Sequence, residues 1–214
     1  MSDLDLMLST SDMQGDSEWK NQRIGSFTSS KIHLLLTSSR KKDQIFGDSA
    51  MSYIYEKTFE YLTGMEGDTF DGNDATDWGT NYEDEAVMEF ERITGLKTSN
   101  APYISKSEYY GGSPDRYVGD DALLEIKCPY SPKYIIKAAD GFIDKKYVAQ
   151  NQSNLNITGR QKIYHATYDP RMPKGMRMVI QEFDRDNEMI DTINERVELA
   201  RTEVLRLAEI LKTK

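Results

Sequence analysis

Thiol and imidazole side chains are almost absent from this chain: its 214 residues include one cysteine, Cys128, and two histidines, His33 and His165. A lone thiol forms no intrachain disulfide and builds no cysteine-based zinc site, which fits a reducing cytosol. The histidines lie far apart without metal-ligand spacing, so histidine-metal centres and Cys/His nucleophile pairs are both disfavoured. All three are read as packing residues. No apolar run is long enough to span a bilayer, and no secretory signal opens the sequence, so the expectation is a cytosolic protein without a membrane partner. Positive charge is outnumbered, 27 Lys and Arg standing against 36 Asp and Glu. A net charge of −9 and a pI near 4.9 argue against nonspecific coating of nucleic acid, whose affinity comes largely from neutralising phosphates. Any polyanion contact must be local, and basic residues do cluster: Arg40-Lys41-Lys42, Lys133 with Lys137, Lys145-Lys146, and Arg160 with Lys162. Such runs are usually solvated faces, but a basic groove in an acidic body would focus a polyanion onto one path.

What is present suits one well-packed domain over residues 1–214, with 1–14, rich in Ser, Asp and Met, as a loosely held arm. A helix is expected after Ser17, and Thr28-Ser29-Ser30 reads as the N-cap of a second helix carrying Ile32, Leu35 and Leu36. Residues 38–47 form a basic loop. Ser49 caps a third helix to about Leu62, stopped by Gly64. The acidic stretch 66–77 resembles a calcium loop only superficially, since an EF-hand register from Asp71 fails at Thr76 and Tyr82. An amphipathic helix is predicted over 79–94, with Ala86, Val87, Phe90 and Ile93 inward and Glu83 in its first turn. Strands follow at 103–109, 115–118 and 123–128, helices around 133–139 and 144–157, and strands at 163–168 and 176–183. A long C-terminal helix has core spacing at Ile190, Ile193, Val197, Ala200, Val204, Leu207 and Leu211. Helices flanking a central mixed sheet make this an α/β chain.

The most informative stretch runs from Gly112-Ser113-Pro114-Asp115 to Glu125-Ile126-Lys127. Gly119-Asp120-Asp121 marks a tight turn between two short apolar strands, placing Asp115 before the first and Glu125 on the second. Side chains alternate along a strand, so Glu125 and Lys127 share one face while Ile126 takes the other. Two carboxylates with a lysine suit metal-dependent phosphodiester cleavage: hard oxygen ligands hold Mg²⁺ or Mn²⁺, and the lysine orients or helps deprotonate the attacking water. An Asp followed at a loose distance by Glu-x-Lys arises by chance in roughly one chain of this length. The bland alternative is an exposed hairpin with ordinary surface charges. The apolar setting of Leu123, Leu124 and Ile126, closed by Cys128-Pro129, favours the site.

Four ordered blocks carry a family resemblance: WKNQRIGSFTSS at 19–30, WGTNYEDEAVMEFERITG at 78–95, GSPDRYVGDDALLEIKCP at 112–129 and YVAQNQ at 147–152. In order and character they resemble the bacteriophage lambda exonuclease family, the phage-type alkaline exonucleases with a PD-(D/E)XK nuclease core. The resemblance covers about the first three quarters of the chain, and four blocks in order are far more specific than one short motif. It implies a phage- or prophage-encoded 5′-to-3′ exonuclease in the host cytosol. Such an enzyme degrades one strand of linear double-stranded DNA to 5′-mononucleotides. It works as a ring-shaped homotrimer and leaves a 3′ overhang for a single-strand annealing protein.

Carried over by position, the resemblance makes Asp115 and Glu125 metal ligands beside the backbone carbonyl of Ile126, with two Mg²⁺ (or Mn²⁺) ions per site. Lys127 is placed at the nucleophilic water. Glu83 supports the metal site, and Gln150 positions the water or the scissile phosphate. Arg23 and Ser30 grip the terminal 5′-phosphate, with Arg40 a further match in the loop. Taken singly, Arg23 also reads as a surface helix residue, Ser30 as a cap and Gln150 as an exposed amide. Two other readings stand beside the exonuclease: a PD-(D/E)XK endonuclease or repair nuclease acting on internal bonds, and a noncatalytic DNA-binding recombination partner. Preference for a free 5′-phosphorylated end separates the first two, and intact Asp115, Glu125 and Lys127 count against the third.

Overall fold

A computed structural model describes residues 17–39, 41, 43–67 and 74–214. The expected N-terminal arm, Arg40, Lys42 and the start of the calcium-like stretch at Asp71 lie outside the described residues. The central element is a five-stranded mixed sheet of order β2-β5-β6-β7-β8, built from β2 (Thr98–Asn100), β5 (Arg116–Val118), β6 (Ala122–Lys127), β7 (Lys162–Tyr168) and β8 (Met178–Asp184). The pairing of β6 with β7 is parallel and the other pairings are antiparallel. The expected tight turn is present. Gly119 adopts φ 53°, a left-handed conformation that glycine accepts without a Cβ clash, so Val118 pairs with Ala122 across the hairpin.

Two faces of β6 do different work because its side chains alternate. Leu124 and Ile126 pack against Ala86 and Phe90 of α4 (Asp74–Thr94), together with Val118, Ala166 and Tyr168. Leu123 faces the opposite layer and meets Leu155 of α6 (Lys145–Thr158) and Ile163. Leu123, Leu124 and Phe90 are fully buried, each removal from water being worth roughly 1.5–3 kcal/mol before ordering entropy is subtracted. The parallel step from β6 to β7 passes through α5 (Lys133–Ala139) and α6, as a crossover between parallel strands must.

A second layer joins α3 (Asp48–Thr63) to α7 (Asn187–Lys212) around Phe27, Ile32, Leu35, Tyr53, Ile193, Val197 and Val204. Beside it lies a small sheet of order β1-β4-β3, with β1 (Phe27–Thr28), β3 (Ile104–Ser107) and β4 (Tyr110–Gly112). The short helices α1 (Ser17–Arg23) and α2 (Ile32–Leu35) flank β1. Among the described residues no helix is long and apolar enough to cross a membrane.

Several expectations change. Thr28-Ser29-Ser30 does not cap a helix with a side chain. Phe27 and Thr28 pair with Tyr110 and Gly111, and Ser29–Lys31 forms a 3₁₀ turn before α2. Tertiary pairing has overridden a local capping preference. The strand expected at 103–109 ends at Ser107, where a turn at Glu108 and Tyr109 leads into β4, and a register shift between Ser105 and Ser107 interrupts the pairing of the two. Helix α4 begins at Asp74, so Glu83 sits in its third turn rather than its first; Asp77, near the N-terminus, complements the helix dipole. Ile93 and Leu211, expected inward, are largely exposed.

Strand β4 delivers the chain to Ser113 and Asp115, and it passes through a gap only glycine fits. A Cβ on Gly111 would lie 2.6 Å from the backbone oxygen of Ile104 and closer still to the Tyr103 hydroxyl. On Gly112 it would overlap the Ser29 side chain and lie 2.9 Å from Ile157 Cδ1. By contrast Gly79, inside α4, has open space where its Cβ would be. We therefore expect Gly111→Ala to destabilise the fold by about 1–3 kcal/mol. Gly79→Ala should stabilise it by about 0.5–1 kcal/mol, and urea unfolding of the two variants checks the opposite signs.

Candidate active site

The site begins with a hydrogen bond across the β5–β6 hairpin. Asp115 precedes β5, and its Oδ2 accepts the backbone N–H of Ile126 at 2.6 Å. That bond brings the Asp115 carboxylate against the middle of β6, where Glu125 is wholly buried. Glu125 Oε1 accepts from Lys127 Nζ at 2.5 Å and from Gln150 Nε2 at 2.6 Å. Its Oε2 accepts from Asn154 Nδ2 at 2.9 Å. Glu125 and Lys127 thus share a face, as the strand period requires, and α6 supplies two amides one helical turn apart to the same carboxylate.

Glu83 approaches from α4. Its Oε1 accepts from Arg116 Nη1 at 3.1 Å, while the same guanidinium reaches the Asp115 backbone carbonyl at 2.7 Å and Asp84 Oδ1 at 3.2 Å. The structure therefore assembles Glu83, Asp115, Glu125, Lys127 and Gln150, drawn from three elements and the residue before β5. Glu83, Asp115, Ile126 and Lys127 line an open cleft of about 580 Å³, with Tyr130, Tyr134, Phe142 and Tyr147 along its walls.

The electrostatics follow from burial. Desolvation raises the pKa of Asp115 and of Glu83, and the Asp115 charge adds to the rise at Glu83. Burial, then repulsion from Asp115, pushes Glu125 up to about 8. Burial opposes the Lys127 ammonium, but Glu125 and Asp115 outweigh it and hold the lysine above its ordinary range. His165, paired in register with Glu125 on the neighbouring strand, is pushed down to about 3 by burial and the nearby Lys127, so it is neutral at pH 7. Burial pushes the Cys128 thiol up to about 12, which makes it an inert part of the cleft wall.

These residues fit a hard divalent cation. The carboxylates are crowded, desolvated and opposed by one internal lysine, and a cation would favour their ionised forms. Among the described residues no group of three or more His, Cys, Asp and Glu is gathered into a metal cage. The donors available to a cation would instead be Asp115, Glu125 and the Ile126 carbonyl. Mg²⁺ suits such a set, because it is usually held by one or two carboxylates while keeping waters and phosphate oxygens in its remaining positions.

The second group of expected residues lies on the N-terminal side. The Arg23 guanidinium stacks over the Trp19 ring at 4.1 Å, and Trp19 Nε1 donates to Ser113 Oγ at 2.8 Å, two residues before Asp115. Arg23 lines a cavity of about 220 Å³ with Trp19, Thr28, Lys31 and Lys57. Lys31 and Lys57 are already paired with Glu56 and Glu60, at 2.9 and 2.7 Å. Ser30 is exposed beside this cavity, its hydroxyl 3.4 Å from Thr28 Oγ1. Its neighbour Ser29 is buried and accepts from Ser153 Oγ on α6 at 2.8 Å.

Sequence reasoning passed over Trp19, Ser113, Arg116 and Asn154. The first three lay inside the quoted blocks without an assigned role. Asn154 was signalled only by its position four residues after Gln150, one turn along the same helix face.

Residues 18–161 match the family model described as the YqaJ-like viral recombinase domain. A curated relative, the uncharacterized protein YqaJ of Bacillus subtilis (strain 168), is 31% identical over 126 residues, covering 56% of this chain and 38% of that protein. Among solved structures, the alkaline exonuclease LHK-Exo of Laribacter hongkongensis superposes with a TM-score of 0.82 at 29% identity. That match covers 92% of this chain and 97% of the other, and the same enzyme has been solved in complex with dAMP. A phage-related exonuclease of Haemophilus somnus 129PT shares the fold, with a TM-score of 0.74 at 20% identity over 87% of this chain and 96% of that one. The expected likeness to phage-type alkaline exonucleases and the mixed α/β fold are both borne out.

The raised carboxylate pKa of Glu125 has a consequence for stability. Between its unfolded value near 4.5 and about 8 the folded chain binds more protons than the unfolded one, so stability is lost as pH rises through that window. His165 acts in the opposite sense only below its unfolded value of 6.5. The thermal midpoint in EDTA should therefore fall between pH 6.5 and 8, and Mg²⁺ or Mn²⁺ should flatten that slope; scanning fluorimetry at fixed ionic strength tests both.

Proposed function

We propose, for a chain that belongs to the YqaJ-like viral recombinase domain family, that it is a Mg²⁺-dependent exonuclease degrading one strand of linear double-stranded DNA from a 5′-phosphorylated end. The observation that carries this reading is the bond from Ile126 N–H to Asp115 Oδ2, which holds two carboxylates and Lys127 together beside an open cleft. The similarity to an alkaline exonuclease solved with dAMP supports the same chemistry.

A divalent cation held by Asp115, Glu125 and the Ile126 carbonyl would neutralise the phosphoryl oxygens and lower the pKa of a bound water. Lys127 Nζ, anchored on Glu125, orients the attacking water oxygen. Gln150 fixes Glu125 from above and offers its amide to the water or the scissile phosphate. Glu83, steadied by Arg116, closes the acidic end of the site. The water oxygen bonds to phosphorus, the bond from phosphorus to the 3′-oxygen breaks, and that oxygen takes a proton. The released product is a 5′-mononucleotide, and the next nucleotide keeps its 5′-phosphate.

In this reading Arg23, stacked on Trp19 and linked through Ser113 to the strand leading to Asp115, would receive that phosphate together with Ser30. Each turnover regenerates the anchoring group one nucleotide along, which gives direction to the reaction. The reading extends to a toroidal homotrimer around the duplex and to transfer of the 3′ overhang to a single-strand annealing protein.

The test uses internally labelled duplexes with Mg²⁺: 5′-phosphorylated linear, 5′-hydroxyl linear and covalently closed circular. Mononucleotides should appear from the phosphorylated ends. Lys127→Ala should slow the reaction by about 10²–10⁴-fold, and Arg23→Ala should erase the preference for phosphate over hydroxyl. Cutting of the circle would instead assign an endonuclease, and binding without cleavage a noncatalytic partner.

A further inference from the structure

Tyr130 stands at the cleft wall with more than half of its surface exposed, yet it is firmly held. Its backbone oxygen accepts from Arg171 Nη2 at 2.9 Å. Arg171 is itself fixed by two bonds to Asp169, from Nε to Oδ1 at 2.8 Å and from Nη2 to Oδ2 at 2.7 Å, and Asp169 is wholly buried. The Tyr130 ring meets Trp78 edge-on with centroids 5.6 Å apart, Trp78 leans on Tyr82 at 4.5 Å, and the Arg171 guanidinium lies 4.6 Å over the Trp78 ring. A charge pair anchored on buried Asp169 and two further aromatic rings thus converge to hold one exposed aromatic face in the cleft that contains Asp115 and Lys127.

Ion pairs hold many cations of this chain, Lys127 inside the cleft among them. Lys31, Lys57, Lys97, Lys162, Arg92 and Arg206 are each paired with a glutamate. Among the described residues Lys133, Lys137 and Lys146 form no ion pair; they lie over Tyr134, Phe142 and Tyr147 at 5.0, 5.0 and 4.7 Å. In a chain of net charge −9, unpaired lysines interleaved with exposed rings are complementary to a ligand that carries both phosphates and planar apolar faces.

We propose that Tyr130, backed by Trp78, is a stacking platform for an unpaired base of the strand whose phosphate occupies the Asp115–Lys127 site. A ring face accepts a base only after that base has left its partner and its neighbour, so the platform favours a frayed end over intact duplex. The inference rests on the exonuclease reading and deepens it by assigning a base-binding subsite to the same cleft.

The experiment uses the full chain carrying Asp115→Asn, whose amide oxygen can still accept from Ile126 N–H while cleavage is blocked. With Mg²⁺ present, fluorescence anisotropy measures binding of 5′-phosphorylated duplexes with a short frayed end, intact or abasic at each of the first three nucleotides in turn. Adding Tyr130→Ala should weaken binding of intact DNA about tenfold. At one abasic position the Asp115→Asn protein should already bind that much more weakly, and Tyr130→Ala should add nothing further. Tyr130→Phe should bind like the Asp115→Asn protein. Equal weakening of intact and abasic DNA by Tyr130→Ala, or no weakening of either, would overturn the stacking platform while leaving the exonuclease reading in place. Failure of the Asp115→Asn protein to bind any of these DNAs would overturn both.

Discussion

The bond from Ile126 N–H to Asp115 Oδ2 is the constraint on which the site depends. Asp115 and Glu125 lie on different arms of a hairpin, and nothing in sequence spacing alone brings their carboxylates to one place. At 2.6 Å the side chain of one arm is tied to the backbone of the other. Wholly buried, Glu125 loses its hydration and is then repelled by the Asp115 charge, which is why it is displaced to about 8. The arrangement persists because the surroundings over-determine it: Leu124 and Phe90 pack one side of β6, and donors from Lys127, Gln150 and Asn154 converge on the other.

Helix α6 shows how far those surroundings depart from an ordinary core. Residues 149–157 are all buried, yet six of the nine carry an amide or, at Ser153, a hydroxyl. Gln150 and Asn154 serve Glu125, Ser153 reaches Ser29 and the Tyr110 hydroxyl, and Asn156 bonds both Tyr110 and Asn194. The same helix thus connects the carboxylate site, the N-terminal segment that carries Arg23, and α7. A buried polar network of this kind is favourable only when its members are satisfied, so it fixes one relative placement of the elements it joins.

The same helix marks the limit of what the amino-acid pattern discloses. Period-two alternation places Glu125 and Lys127 together and Ile126 opposite, and the Gly119 turn follows from local chemistry; both depend on residues close in sequence. The C-terminal helix and the inward positions Ala86 and Phe90 are legible for the same reason. Polar burial is not, because QNQSN carries no apolar stripe and reads as a solvated face until a buried carboxylate is set against it. Thr28-Ser29-Ser30 misleads in a related way: its hydroxyls suit a helix cap, but Phe27 and Thr28 pair with a strand some eighty residues later, a non-local contact to which no local preference points. Gly79 resembles a helix start because glycine weakens helices, yet α4 begins at Asp74 and runs through it. In each case tertiary packing outweighs a preference worth about 1 kcal/mol.

Charge presents the same conflict between the average and the particular. The net value of −9 would turn a uniformly charged body away from DNA. Part of the acidity is spent locally, however: Glu56, Glu60, Glu89, Glu91, Glu182 and Glu203 each neutralise a basic neighbour. Lys133, Lys137 and Lys146 stand outside this pairing and lie against aromatic rings, which leaves their charge available to a ligand. Within a Debye length of about 8 Å at physiological ionic strength, an approaching phosphate responds to those neighbours far more than to distant carboxylates. A net acidic chain and unpaired lysines beside an aromatic cleft are therefore compatible with the proposed function: the net charge would weaken contact along the outside, and those lysines would favour a strand that reaches the carboxylates.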